Sequence, residues 1–327
     1  MQKIEISAKT IIFTIFFIIL LQVLWVLKDL IFSLLIAFIL MSSLSPAVRN
    51  LVRLKVPRSL AVFMVYFFFL FIFIFLFGII IPPILSETAI LARNLPSIIQ
   101  GINTRVTPWI QLDSLTQYIP TATNQLLQIA TGAATNLIFV VTTLFFGFYF
   151  LLEESAIKET TSRYLDENTT RRVFRVIDHA ENRMSSWFWG ELKLMTVVGV
   201  MSFVGLSLIG VKYVLPLAVL AGLFEVIPNV GPILSAIPAV LLGFSHSYFL
   251  GVAALALYIL VQQLENNLIV PVVMKQAVGL NPIVTLIVLI IGGRFGGVLG
   301  LLLAIPTFLF LESILIEIIR AKEKISD

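Results

Sequence analysis

The sequence predicts an all-α polytopic membrane protein with about eight transmembrane helices. Three observations support this fold class. First, 59% of the 327 residues are hydrophobic and only 12% are charged, whereas about 25% of residues in a soluble domain are charged. Second, the mean hydropathy is +1.04. Third, the apolar residues form runs of about 17 to 25 residues, the length that spans a bilayer. This composition excludes an ordinary water-soluble enzyme, a disordered chain, a collagen and a coiled coil.

The apolar runs define the predicted helices in order. Six runs each predict one transmembrane helix: Ile11–Leu27, Leu30–Val48, Leu60–Leu85, Ala133–Leu152, Leu194–Val211 and Tyr248–Val261. Two longer runs, Leu215–Phe244 and Pro282–Leu311, are interrupted by Pro and Gly, so each predicts a broken helical hairpin. The first run lacks a small-residue cleavage site and is followed at once by another apolar run. It is therefore interpreted as a membrane helix rather than a signal peptide.

The basic residues predict the orientation of these helices, because cytoplasmic loops hold the excess of Lys and Arg. With the N-terminus inside and strict alternation of the spans, 17 of the 22 basic residues fall on the inner side and four on the outer side, and Arg294 lies within an apolar run. We therefore expect both termini to be cytoplasmic. The net charge of +4 is explained by this topology, and no nucleic-acid partner is expected.

These assignments divide the chain into six parts. They are N-terminal helices 1 to 3 (1–85), an extracytoplasmic amphipathic helical segment (86–132), helix 4 (133–152), a charged cytoplasmic segment (153–193), a C-terminal transport core with the broken hairpins (194–318) and a cytoplasmic tail (319–327). In the outer segment, Pro96, Pro108 and Pro120 recur at a spacing typical of successive helix starts. That segment either covers the outer face of the protein as a cap or forms a gate or funnel for the substrate. The charged inner segment either anchors at lipid headgroups or docks a nucleotide or protein.

The two broken regions resemble each other and indicate an internal repeat. Ile233–Leu242 aligns without a gap on Leu301–Phe310, and both contain Ala-Ile-Pro. A Pro- or Gly-rich break precedes each of them; the break residues are Pro228, Gly231, Pro232, Gly292, Gly293, Gly296 and Gly297. Backbone groups freed at such breaks are tolerated in a bilayer where protein buries them or where they line a cavity. Paired breaks therefore indicate a transporter's binding site, the alternative being two kinked packing helices.

Five polar residues are candidates for a transport pathway or for ion coupling. Glu225 directly precedes the first break, Asn229 lies within it, and Arg294 lies within the second break. Gln262 and Glu265 share a helical face in a polar cluster at the end of an apolar helix. A carboxylate at membrane depth is by default functional, paired or protonated. The alternatives are a helix-end carboxylate at Glu225, an Arg294 side chain that reaches the interface, and a polar helix cap at Gln262 and Glu265.

The sequence predicts no metal site, no cofactor and no enzymatic activity. It contains no Cys, and its two histidines lie far apart at His179 and His246. It has no phosphate-binding loop and no hydrolase or metalloprotease motif of the common types. These absences disfavour a self-contained ATP-driven pump.

The C-terminal half resembles the autoinducer-2 exporter (AI-2E) family of bacterial permeases. The matching blocks, in order, are Gly210–Tyr213, Leu223–Pro232, Gln262–Asn266 with Pro271–Met274, Val278–Pro282 and Gly300–Pro306. The resemblance extends more loosely through Pro57–Ala61 to the N-terminal helices. It implies a multi-pass protein of the bacterial cytoplasmic membrane. It also implies a homo-oligomer, with a pentamer as the expected assembly, and broken hairpins near a central cavity.

The residues and the resemblance together predict a secondary transporter. We expect it to export a small polar solute, with the quorum-sensing signal autoinducer-2 as the default, and to be ion-coupled. Glu225 would carry the proton or bind the coupling ion. One alternative is a sodium or lithium/proton antiporter. Another is a non-transporting membrane protein whose outer or inner segment docks partners. Beyond the lipid bilayer, the expected ligands are the solute and a proton or sodium ion.

Overall fold

The computed structural model describes residues 8–75, 78, 82, 137–164, 166–228, 230–274 and 281–326. These residues form helices and contain no strand. The helices are α1 (Ala8–Val26), α2 (Lys28–Arg53), α3 (Arg58–Phe75), α4 (Leu137–Tyr164), α5 (Glu167–Ile209), α6 (Val214–Phe224), α7 (Val230–His246), α8 (Tyr248–Leu264), a π-helical turn (Glu265–Ile269), α9 (Val270–Val273) and α10 (Pro282–Ser326). The prediction of an all-α protein is confirmed. The predicted outer segment, 86–132, lies outside the described residues.

Five of the described helical stretches are long and apolar enough to cross a membrane. They are Lys28–Arg53, Arg58–Phe75, Thr169–Ile209, Tyr248–Val273 and Ile283–Ile316. The remaining apolar helices are shorter, and α6 and α7 belong to this group. Several spanning helices in one chain make this a multi-pass membrane protein.

The junction between α1 and α2 differs from the sequence prediction, in which Ile11–Leu27 and Leu30–Val48 are separate spans with Lys28 on the outer side between them. The Leu27 amide donates to the carbonyl of Val23 at 2.9 Å, and the Ile31 amide donates to that of Leu27 at 2.9 Å. The helical hydrogen-bond ladder therefore continues across the junction, which is a kink rather than a loop. Neither Gly nor Pro occurs between residues 20 and 35 to stop the helix. The orientation of the termini stays a prediction.

Helix α5 is the longest uninterrupted helix in the described part of the chain, with 43 residues, or about 65 Å. Asp166 caps its start by accepting a hydrogen bond from the Thr169 amide, and Gly210 ends it in the left-handed conformation, with φ of 75°. The helix joins most of the predicted charged segment directly to the predicted fifth span. The division of the chain into domains stays a prediction.

Both predicted hairpins are present, and their geometry supports the repeat. In the first, a turn follows α6 at Glu225 and α7 starts at Val230. In the second, α10 is broken at Gly297, whose φ of 57° and ψ of −134° are not helical. The chain folds back there, so that a Cβ added at Gly292 would lie 2.4 Å from the carbonyl oxygen of Gly300.

The two hairpins are in register with each other. The starts of α6 and α10, at Val214 and Pro282, are 68 residues apart, and so are the internal prolines of the two regions, Pro238 and Pro306. The offset that aligns the sequences therefore also aligns the helices. The second hairpin packs on α2, because a Cβ at Gly296 would meet the ring of Phe32 at 2.4 Å.

Candidate functional site

Three buried carboxyl groups meet in the C-terminal half. Glu191 lies in α5, Glu225 follows the end of α6, and Glu265 begins the π-helical turn after α8. Their exposed fractions are 5%, 3% and 4%. Charged side chains are almost never buried this deeply without a partner. Three separate elements thus bring acidic groups to one place in the core.

Close packing of α5 on α6 aligns Glu191 with Glu225. A Cβ at Gly222 would lie 2.6 Å from the carbonyl oxygen of Met195, so only Gly fits at this crossing. Glu191 lies one turn before Met195, and Glu225 lies about one turn after Gly222. The two helices run antiparallel, because the chain reverses in the short connection after Gly210. Each glutamate is therefore one turn from the crossing, on the same side of it.

The sequence of the first break explains why Glu225 lies at the tip of a hairpin. The last turn of α6 tightens, and the Ile227 amide donates to the carbonyl of Phe224 at 2.9 Å. Pro228 has no amide hydrogen with which to continue the helix. Gly231 then crosses over the end of α6, where an added Cβ would lie only 1.8 Å from the carbonyl oxygen of Phe224. The break therefore forms a tight turn that holds Glu225 at a fixed position.

Glu265 lies where α8 widens into the π-helical turn. Pro271 follows within α9 and removes one amide from the helical ladder. In the same turn, the Asn267 side-chain amide donates to the carbonyl of Gln263 at 2.9 Å and to its side-chain oxygen at 3.0 Å. Such π-helical insertions are frequent at functional sites. Here the insertion coincides with a buried carboxyl group.

Glu225 and Glu265 form a carboxyl pair. Their side chains lie within hydrogen-bonding reach of each other, and Glu191 is close enough to interact electrostatically with both. An ionised carboxylate accepts hydrogen bonds but does not donate them, so a bond between two carboxyl groups requires a proton on one of them. Each of the three residues also has one carboxyl oxygen without a hydrogen-bond partner among the described residues. The site is therefore suited to take up and release a proton.

A cavity of about 600 Å³ opens between α7 and α8 and reaches this pair through Gln262. Its walls are mostly apolar side chains of the two helices, together with Tyr258, Gln262 and Gln263. The side-chain amide of Gln262 lies near the carboxyl group of Glu265. Ligand pockets typically enclose about 300 to 1,000 Å³ and contain a few polar groups among apolar walls. One side chain thus links the cavity wall to the carboxyl pair.

The predicted site residues fall into two groups. Glu225, Gln262 and Glu265 come together, and Asn229 lies outside the described residues. Arg294 is exposed, and it is not among the groups that interact with Glu225. The structure thus brings Glu225 close to two acidic groups and not to Arg294, the basic residue of the second break.

Glu191 belongs to the site but is not conspicuous in the sequence. It lies at the end of a segment rich in both charge signs, where one more glutamate is unremarkable. Gly199 lies two turns further along α5, and α6 packs on it. Only this packing shows that Glu191 belongs to the site. Among the described residues, no group of three or more acidic, His or Cys side chains is arranged to hold a metal ion.

Comparisons with known proteins identify a family for nearly the whole chain. A family model described as "AI-2E family transporter" matches residues 14–320. Two similar proteins carry the name "Putative transport protein". YueF of Bacillus subtilis (strain 168) is 28% identical over 315 residues, covering 90% of this chain and 85% of its own. YhhT of Escherichia coli (strain K12) is 25% identical over 291 residues, covering 85% and 82%.

A further relative has a more specific name. The "AI-2 transport protein TqsA" of Escherichia coli (strain K12) is 26% identical over 281 residues, covering 80% of this chain and 78% of its own. All three matches cover more than three quarters of both chains. Their names describe transport rather than catalysis.

Proposed function

The chain belongs to the AI-2E family of transporters, and from this premise we propose that it is a proton-coupled secondary transporter that exports a small polar solute. Autoinducer-2 is the default solute, because one relative is named for its transport. The observation that carries the proposal is the buried Glu225–Glu265 pair, which lies beside Gln262 in the wall of a cavity.

The proposed coupling follows from the chemistry of this pair. When the pair holds a proton, Glu225 and Glu265 hydrogen-bond to each other. When the proton leaves, two negative charges remain close together in a low-dielectric interior and repel each other strongly. Gln262 lies next to Glu265, so this change in charge acts directly on its side chain. A solute that contacts Gln262 in the cavity is thereby sensitive to the protonation of the pair.

A proton fits this site better than a sodium ion does. Sodium is a hard cation that needs several oxygen ligands around one point. No described cluster of acidic, His or Cys side chains has a metal-binding arrangement. A proton needs only the two carboxyl oxygens. The sodium/proton antiporter is therefore the second candidate, and it would require ligands beyond the three glutamates.

The proposed setting is the bacterial cytoplasmic membrane, with both termini inside and with the chain assembled as a homo-oligomer. Helix α1 is open to lipid or to a partner subunit: from Ile11 to Val26 its large apolar residues are all at least 41% exposed. Such a surface requires lipid or protein around it. We propose a pentamer, and native mass spectrometry of the detergent-solubilised protein measures the subunit number directly.

The test is autoinducer-2 flux in proteoliposomes under an imposed pH gradient, a sodium gradient or neither. The proposal predicts solute efflux that the pH gradient drives and that the sodium gradient does not change. Sodium-dependent acidification without movement of autoinducer-2 would replace it with the antiporter. If neither autoinducer-2 nor protons moved, the non-transporting interpretation would stand.

A further inference from the structure

Arg294 is a charged side chain that the proposed coupling does not use. From Pro282 to Leu311 it is the only Asp, Glu, Lys or Arg residue, and its side chain is exposed. Among the described residues, no carboxylate forms an ion pair with it. It lies within the apolar helical stretch Ile283–Ile316, which is long enough to cross a membrane. A charge in such a stretch is costly without a partner, and the described residues supply none for Arg294.

An apolar groove lies beside Arg294 on the second hairpin. Its volume is about 300 Å³. Small residues of both arms of the hairpin line it together with three aromatic rings: Gly292, Gly300, Ala304, Phe32, Phe295 and Phe308. Its only polar side chain is Thr307, whose hydroxyl already donates to the carbonyl of Leu303 at 2.5 Å. The groove therefore offers no free polar group and is suited to hydrocarbon.

The groove opens on a surface that faces lipid or another subunit. Three of the residues that line it, Ile291, Phe295 and Leu311, are 52%, 64% and 52% exposed. Arg294 lies three residues after Ile291, and residues at this spacing are neighbours on a helix surface. A site for hydrocarbon thus adjoins an unpaired cation.

We propose that this groove and Arg294 bind one anionic phospholipid, with an acyl chain along the groove and the phosphate at the guanidinium group. Arginine binds phosphate through two parallel hydrogen bonds. A polar solute in the groove would leave its own hydrogen-bonding groups unpaired. A second copy of the chain would have to bring apolar side chains to the groove and a carboxylate to Arg294 at once, whereas a phospholipid carries hydrocarbon and an anion in one molecule.

The bound lipid would hold the second hairpin against α2. Phe32 of α2 lines the groove, and a Cβ at Gly296 would meet the same ring at 2.4 Å. An acyl chain in the groove therefore contacts both the hairpin and the helix on which the hairpin packs.

Native mass spectrometry of the intact, detergent-solubilised protein measures this binding without transport, so the result is independent of the proposed function. The protein is titrated with phosphatidylglycerol and, in parallel, with phosphatidylcholine, which has no net charge and should bind more weakly. Arg294→Gln should weaken phosphatidylglycerol binding by at least about ten-fold, the effect of one charge-assisted hydrogen bond. Arg294→Lys keeps the charge and should retain part of the affinity. The control is Arg53→Gln, because Arg53 is also exposed but does not line the groove.

A second pair of variants tests the groove and leaves Arg294 in place. In Ile291→Trp the larger side chain would occupy the groove, whereas Ile290 is 65% exposed and does not line it. Ile291→Trp should weaken phosphatidylglycerol binding by at least about ten-fold, because the acyl chain loses buried methylene groups. Ile290→Trp should bind as wild type does. Short-chain dihexanoyl phosphatidylglycerol should bind weakly for the same reason, and glycerol phosphate, which has no chain, should not displace the lipid.

Three results would overturn the proposal. Wild-type affinity in Arg294→Gln would exclude the guanidinium group as the phosphate site. Wild-type affinity in Ile291→Trp would exclude the groove as the acyl-chain site. The same spectra give the subunit number, and a lower number in either variant, with no lipid retained by wild type, would show that a second copy of the chain covers the groove.

Discussion

The carboxyl groups of Glu225 and Glu265 lie within hydrogen-bonding reach of each other, although one belongs to a hairpin tip and the other to a π-helical turn. Neither side chain is more than 4% exposed. Two acidic groups in this position destabilise the fold unless a proton is shared between them. Natural proteins keep such arrangements where function requires them. The pair is therefore the feature on which the functional account depends.

The first prediction concerns stability. Glu265→Gln places an amide donor against Glu225 and reduces the repulsion from Glu191, so the pair no longer needs a shared proton. We expect stability to rise by about 1 kcal/mol, measured as a higher midpoint of thermal unfolding in detergent at neutral pH. The control is Glu153→Gln at an exposed position, which should change stability by less than about 0.5 kcal/mol. A lower midpoint for Glu265→Gln than for the control would contradict the interpretation.

The second prediction concerns the tip of the first hairpin. In Gly231→Ala the new Cβ would fall 1.8 Å from the carbonyl oxygen of Phe224, and backbone atoms cannot yield as a flexible side chain does. We expect a loss of at least about 1 to 3 kcal/mol and a loss of transport. The matched control is Gly199→Ala, whose Cβ would lie 3.4 Å from the carbonyl oxygen of Ala218. The same unfolding midpoint in both variants would show that the tip is looser than the structure indicates.

The third prediction separates backbone strain from crowding in the second hairpin. Gly297 has a positive φ, and a Cβ there would meet no atom within 4 Å. Gly297→Ala is therefore expected to destabilise by about 1 to 3 kcal/mol through backbone conformation alone. Gly293→Ala should be tolerated, because its Cβ approaches only the flexible end of Leu301, at 3.2 Å. Circular dichroism melting of the two variants provides the comparison, and a stable Gly297→Ala protein would argue against the break.

The fourth prediction concerns the ion pair between α5 and α10. Arg183 Nη1 lies 2.6 Å from Glu312 Oε2, and both side chains are partly exposed. A double-mutant cycle with Arg183→Gln and Glu312→Gln should give a coupling energy of about 1 kcal/mol. The exposed pair of Arg171 and Glu167 within α5 should give about 0.3 to 0.5 kcal/mol. Equal coupling in the two cycles would mean that the α5–α10 pair is fully solvated.

Much of the fold was predictable because a bilayer imposes simple rules. Apolar runs of spanning length predicted the helices, and Pro and Gly within two of those runs predicted both breaks. The shared Ala-Ile-Pro sequence identified a repeat whose 68-residue offset the helix starts at Val214 and Pro282 reproduce. Glu225, Gln262 and Glu265 were also recognisable, because polar side chains are conspicuous in apolar surroundings.

What the sequence did not predict depends on contacts between distant segments. Glu191 joins the site only because α6 packs on α5 at Gly222. No pattern in the sequence reveals that these two helices cross there. The apolar runs Ile11–Leu27 and Leu30–Val48 were predicted as separate spans, yet the helical ladder continues through the junction at Leu27. Arg294 was a candidate because it lies within the second break, but it is exposed and is not among the groups that interact with Glu225.

The most direct test of the central claim is a paired measurement of proton and autoinducer-2 flux in one set of proteoliposomes, comparing wild type with Glu225→Gln. The account predicts that the variant loses proton movement and gradient-driven efflux but still exchanges autoinducer-2 at equal pH, because Gln cannot release a proton. Glu167→Gln, at an exposed position on α5, should behave as wild type. Gradient-driven efflux with wild-type proton movement in Glu225→Gln would contradict the claim that this pair couples transport to protons.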